Sequence, residues 1–149
     1  MTETAIAQIA AIVTLAVNGA AAAYAGLRWW QVQSSDAVWP LLRLGQAVAG
    51  AQALVAGVLF VAGLRPADDL YWLYALLPVA IGFVAEQLRI ASAEQVLENR
   101  ELPDAQAVGA LPESQQRSVV LAVVRREIGV MALAALVVAF LALRAALIL

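Results

Sequence analysis

The chain has 149 residues, 64% of them hydrophobic and only 13% charged, with a mean hydropathy of +0.84. A water-soluble domain runs near roughly 45–50% apolar and 25% charged, so disordered, fibrous and ordinary globular classes are excluded and a bilayer protein is the reading left. A formal charge of -2 and a pI near 5.0, without any run of basic residues, argue against nucleic acid as a partner.

The first apolar stretch, residues 5–27, is interrupted only by uncharged Gln8, Thr14 and Asn18 and is long enough to span. Glu3 stands where a signal peptide would want basic residues, so cleavage is not expected. A polar connection over 28–39 follows, with Trp29, Trp30 and Trp39 at its edges as interface anchors. Pro40 suits the first turn of a second span, 40–63, which stops on a glycine-then-proline signal at Gly63 and Pro66. Asp68 or Asp69 caps the third span, 70–91, where Tyr71, Trp72 and Tyr74 form the opposite aromatic belt. Pro78 interrupts this span and removes the hydrogen bond to the Tyr74 carbonyl. Residues 89–101 hold no Gly or Pro, so the third helix is expected to continue into water. A loop over 102–111 leads to Pro112, which opens a last helix containing the fourth span, 119–143.

The fold class predicted is therefore all-α: one integral membrane four-helix bundle, with the third and fourth helices extended beyond the membrane. Near the span ends, Arg28, Arg43, Arg89, Arg100, Arg117, Arg125 and Arg126 fall on one side and only Arg65 and Arg144 on the other. The positive-inside rule then puts the loops 28–39 and 92–118 in the cytoplasm and both termini outside the cell membrane.

Neither histidine nor cysteine occurs, which removes the usual ligands for zinc, haem and iron-sulfur groups as well as thiol and Ser-His-Asp chemistry. No cofactor is expected, and a metal would be held by oxygen alone. The residues with chemistry to offer are charges inside the spans. Counted at about 1.5 Å per residue, Glu86 lies roughly 24 Å along its helix from Leu70, still inside an apolar slab of about 30 Å. Arg125, Arg126 and Glu127 reach a similar level, and Arg43 follows Trp39 by one turn.

Helices in lipid associate through small side chains and polar contacts, so stripes of small residues mark the packed faces. The second span offers Arg43, Gln46, Gly50, Ala53 and Gly57, and the third Ala75, Pro78, Gly82, Glu86, Arg89 and Ala93. The fourth offers Ser118, Ala122, Arg125, Gly129, Ala132, Leu136 and Ala139, and the first Asn18, Ala22 and Ala25. Asn18 and Gln52 are expected to make interhelical hydrogen bonds. Glu86 is expected to pair with Arg125 or Arg126.

A charge within a membrane costs at least about 2.5–3.5 kcal/mol on insertion scales, so these groups seek partners. The layer is then either a polar clasp that fixes helix register or the lining of a cytoplasm-facing cavity. For the second reading the candidate ligand- or ion-binding residues are Arg43, Gln46, Glu86, Arg89 and Arg125. Four arginines against two glutamates favour an anionic ligand such as a lipid headgroup over a cation. The leading function is non-catalytic: a self-associating protein, forming a homo-oligomer, or an accessory subunit of a larger membrane complex. The alternatives are a small channel or transporter working through Glu86, and a membrane enzyme acting on lipid.

Overall fold

The computed structural model describes residues 2–33 and 35–149. The described residues form five helices and no strand: α1 (Glu3–Gln31), α2 (Val38–Ala62), α3 (Leu70–Glu98), the single-turn α4 (Ala105–Gly109) and α5 (Glu113–Leu147). Four of them are long and apolar enough to cross a membrane. These four form an antiparallel bundle in which α1 packs on α2 and α5, and α3 closes the ring against α2 and α5. The α1–α5 and α3–α5 pairings are the most extensive, and the α2–α3 pairing is the sparsest between neighbours.

Chain punctuation explains the element ends. Gly63 adopts φ +97°, its N–H donates to Phe60 O, and the Leu64 N–H donates to Leu59 O at 2.9 Å. This paired arrangement satisfies the last carbonyls of α2 and buries Leu64. Asp69 holds the N-cap position of α3 without a side-chain bond, and it is the Asp68 carboxylate that accepts from the Leu70 N–H, at 2.8 Å. The stretch expected as a loop over 102–111 contains α4, because Asp104 accepts from the Ala107 N–H at 2.8 Å and nucleates a turn. The first helix outruns its apolar stretch and ends at Val32 in the left-handed region, φ 54°. Polar ties hold that end: Arg28 Nη1 donates to Gln33 Oε1 at 2.9 Å, and the hydroxyls of Tyr24 and Ser35 lie 2.8 Å apart.

Burial follows side-chain size in an unusual direction. More than half of the buried hydrophobic residues are alanine, while Leu54 (74% exposed), Val61 (86%) and Phe83 (67%) point outward. Soluble cores bury large apolar groups; a bundle with small residues inside and large ones outside is built for close helix approach within an apolar surround.

Two of the expected packed faces lie slightly off. On α2 the buried stripe is Val38, Leu42, Gly45, Ala49, Gln52, Ala56 and Leu59, about one residue from the predicted set. On α5 Ala132 and Ala139 of the predicted stripe are buried, but the core side centres on Ile128, Met131, Ala135, Val138 and Ala142, and Leu136 is exposed. Each helix has two neighbours, so its buried face is centred between them; the predicted stripes mark the flank of α2 toward α3 and of α5 toward α1.

Asn18 makes the expected interhelical bond, donating Nδ2 to Gly45 O at 3.1 Å and also to Thr14 O at 3.1 Å. Gln52 does not: it is 3% exposed, and neither Nε2 nor Oε1 meets a partner among the described residues. The register set by Asn18 and Gly45 brings Gln52 level with Ala11, a buried methyl that offers nothing to bond. Beyond the level of Glu127, α3 and α5 continue side by side as expected. Val96 and Val119 are buried there, Arg126 Nη1 donates to Gln95 Oε1 at 2.7 Å, and Arg100 Nη2 donates to Ser118 Oγ at 3.1 Å.

Candidate functional site

Arg43 and Gln46 are three residues apart on α2, which puts both on the side turned to α3. There they meet Glu86. Arg43 donates through Nη1 to Glu86 Oε1 and to Gln46 Oε1, the latter at 2.7 Å, and Gln46 Nε2 donates to Glu86 Oε1 at 2.9 Å. Arg89, one turn further along α3, donates Nε to Glu86 Oε2 at 3.1 Å and Nη1 to Glu127 Oε1 on α5 at 3.1 Å. Its guanidinium carbon also lies 5.5 Å from the Trp39 ring centre, within cation–π range. Arg89 therefore ties α2, α3 and α5 together at one level. Arg43 is half exposed, whereas Arg89, Glu86 and Glu127 are largely covered.

Four of the five residues singled out from sequence thus come together: Arg43, Gln46, Glu86 and Arg89. Arg125 stands elsewhere. Glu86 pairs with Arg43 and Arg89, and neither Arg125 nor Arg126 reaches it. Positions 125 and 127 lie on nearly opposite sides of a helix, so when Glu127 faces α3, Arg125 faces α1. Its guanidinium lies 5.3 Å from the centre of the Trp29 ring, and that ring lies against Gly129, where an added β-carbon would sit 2.9 Å from Nε1. The connected cluster consequently balances, Arg43 and Arg89 against Glu86 and Glu127, and the surplus positive charge expected of this layer sits outside it.

Below the cluster lies a half-open cavity of about 210 Å³ between α2, α3 and α5, with exposed Val79 and Phe83 at its mouth. Glu86 and Gln46 border one end and Asn18 another part of the wall, and the rest is almost wholly apolar: Leu42, Ala49, Gly50, Pro78, Val79, Gly82, Phe83, Met131, Ala134, Ala135 and Val138. It exists because α2 and α3 are the loosely packed pair, with small Gly50 and Gly82 bordering the gap. At Gly50 and Gly82 an added β-carbon would meet no atom within 4 Å. The sequence marks Gly50, Pro78 and Gly82 as small or helix-breaking positions, but nothing in it distinguishes glycines that bring helices together from glycines that leave room between them. Glu127 was legible as a charge at the right depth; its pairing with Arg89 was not.

No three metal-ligating side chains gather among the described residues. The cluster's carboxylates are each engaged by guanidinium groups, which leaves a polar, charge-balanced rim over an apolar hollow. Compared with protein-family models, with curated proteins and with solved structures, the chain finds no match.

Proposed function

We propose that this chain is a small, non-catalytic, four-span protein of the cell membrane, with both termini outside, whose α2–α3–α5 cavity receives the apolar part of a small amphiphile. The observation that carries the reading is the cavity itself, about 210 Å³ of apolar space that ends at Gln46 and Glu86. Drug-sized ligands need roughly 300–1,000 Å³, so this volume suits a tail or single ring whose polar end stays at the rim. The outward Leu54, Val61 and Phe83 support placement in lipid, and the rim then falls at the inner leaflet by the arginine bias. The self-associating or accessory role expected from sequence is compatible with this binding role.

The test is native mass spectrometry of the protein released from its membrane. A small molecule retained by the wild type and lost in Gly82→Leu, with melting unchanged, supports the reading. An empty wild type, or equal retention by the variant, sinks it. A second reading, a small transporter, is favoured by Pro78, a buried residue that lines the cavity and lacks the N–H that would bond the Tyr74 carbonyl. Under that reading Glu86→Gln abolishes a proton flux into liposomes while the fold survives.

A further inference from the structure

We propose that the groove between α1 and α5 is a docking site for one anionic phospholipid of the inner leaflet, its phosphate held by Arg28 and Arg125 and an acyl chain lying along the groove. This site shares only the membrane placement with the proposed cavity, and neither depends on the other.

Two features of different kinds meet at Trp29. On its cytoplasmic side is a shallow recess of about 20 Å³ where Arg28, Gln33 and exposed Arg125 sit among apolar Val32, Leu121, Val124 and Ile128, so a phosphate would rest at its mouth. Among the described residues neither arginine is in an ion pair. Arg28 gives Nη1 to Gln33 and lies 5.2 Å from the Tyr24 ring centre, but its Nε is buried with no acceptor. Arg125 has only the face of Trp29. Glu127, two residues on from Arg125, is taken by Arg89. Two guanidinium groups without counter-charges, bordering one recess, suit an anion with several acceptor oxygens.

On the other side of Trp29 is an apolar groove of about 590 Å³, floored by Gly19, Ala22, Gly26, Gly129 and Ala132. At Gly19 and Gly26 an added β-carbon would meet nothing within 4 Å, so the groove is open along its length. From Gly19 to Trp29 is ten residues, roughly 15 Å, or half the hydrocarbon thickness, which is the depth of one leaflet. A phosphate at Trp29 and an acyl chain running down to Gly19 match a lipid of that leaflet in charge and length.

A second copy of the chain is the other occupant that small residues suggest, and the same arginines argue against it. Two copies inserted in the same orientation and paired about a two-fold axis through this face would bring four uncompensated guanidinium groups to one level.

The experiment is native mass spectrometry of the full chain in detergent with phosphatidylglycerol and phosphatidylcholine of identical acyl chains at equal concentration. The wild type is expected to prefer phosphatidylglycerol by roughly thirtyfold, about fivefold for each arginine. Arg28→Gln with Arg125→Gln abolishes the preference, and Arg28→Lys with Arg125→Lys keeps a large part of it. Gly26→Leu weakens retention of both lipids by obstructing the groove. Should the double Gln variant fail to melt cooperatively, each single Gln variant is expected to lose about fivefold and decides the matter. Equal retention of the two lipids by the wild type, or an unchanged preference without the two arginines, overturns the proposal. So does displacement of the lipid by millimolar inorganic phosphate, which would make this a site for the free anion, and so does a lipid-free dimer.

Discussion

Asn18 and Gly45 lock the crossing of α1 and α2: the side-chain amide of one donates to the main-chain carbonyl of the other at 3.1 Å, and a β-carbon at position 45 would lie 2.7 Å from Asn18 Oδ1. The bond exists because the glycine leaves the carbonyl uncovered, and the two residues are one device.

Gly45→Ala is therefore expected to destabilise by about 1–3 kcal/mol, the ordinary cost of overpacking, since Asn18 must move and surrender its bond. Asn18→Ala removes one interhelical hydrogen bond, worth roughly 0.6 kcal/mol in a membrane bundle, and leaves a small void. In the double variant the losses are less than additive, because the alanine at 45 no longer meets the amide. Unfolding curves in detergent for the two single variants and the double variant measure the coupling, and simple additivity counts against a shared device.

Within the charged cluster the arginines are unequal. Arg89 serves two carboxylates on two helices, so Arg89→Gln is expected to cost roughly 1.5–3 kcal/mol. Arg43 is half exposed and shares Glu86 with Gln46 and Arg89, so Arg43→Gln costs at most about 1 kcal/mol. Arg125→Gln leaves the cluster intact. The rank order of melting temperatures checks this, and equal losses at 43, 89 and 125 would contradict the geometry.

Gln52 offers a prediction of opposite sign. Both polar atoms of its side chain are buried without a partner, so each loses solvation and gains nothing in return. Gln52→Met, close in shape, is expected to stabilise by about 1 kcal/mol. A lower melting temperature in the variant would show that the amide is satisfied after all.

Orientation can be read chemically, since the chain has no native thiol. Ser114 and Asp68 are both exposed and lie at opposite ends of the bundle. Ser114→Cys is expected to react with an impermeant thiol reagent only from the cytoplasmic side and Asp68→Cys only from outside. The reverse pattern refutes the inside-outside assignment and leaves the bundle untouched.

Length, hydropathy and punctuation were enough to give the number of long helices, their approximate ends and the extension of α3 and α5, because each depends on residues adjacent in the chain. Gly63 stops α2, Pro112 starts α5, and the run after Glu86 contains nothing to break a helix. The shared level of Arg43, Glu86, Arg89 and Glu127 along the bundle followed as well, since rise per residue is fixed. Partner choice did not. Whether Arg43 or Arg125 meets Glu86 depends on the rotation of α2 and α5 about their own axes, which is set by how every side chain on two neighbouring faces packs at once. The same holds for the glycines: Gly45 closes a crossing, Gly82 borders a hollow and Gly26 opens a groove, though all three are the same residue in apolar helices. Local sequence thus settled what the helices are and at what level along them each charge lies. Only tertiary packing decided which charges touch and where space is left, since both are properties of surfaces brought together from distant parts of the chain.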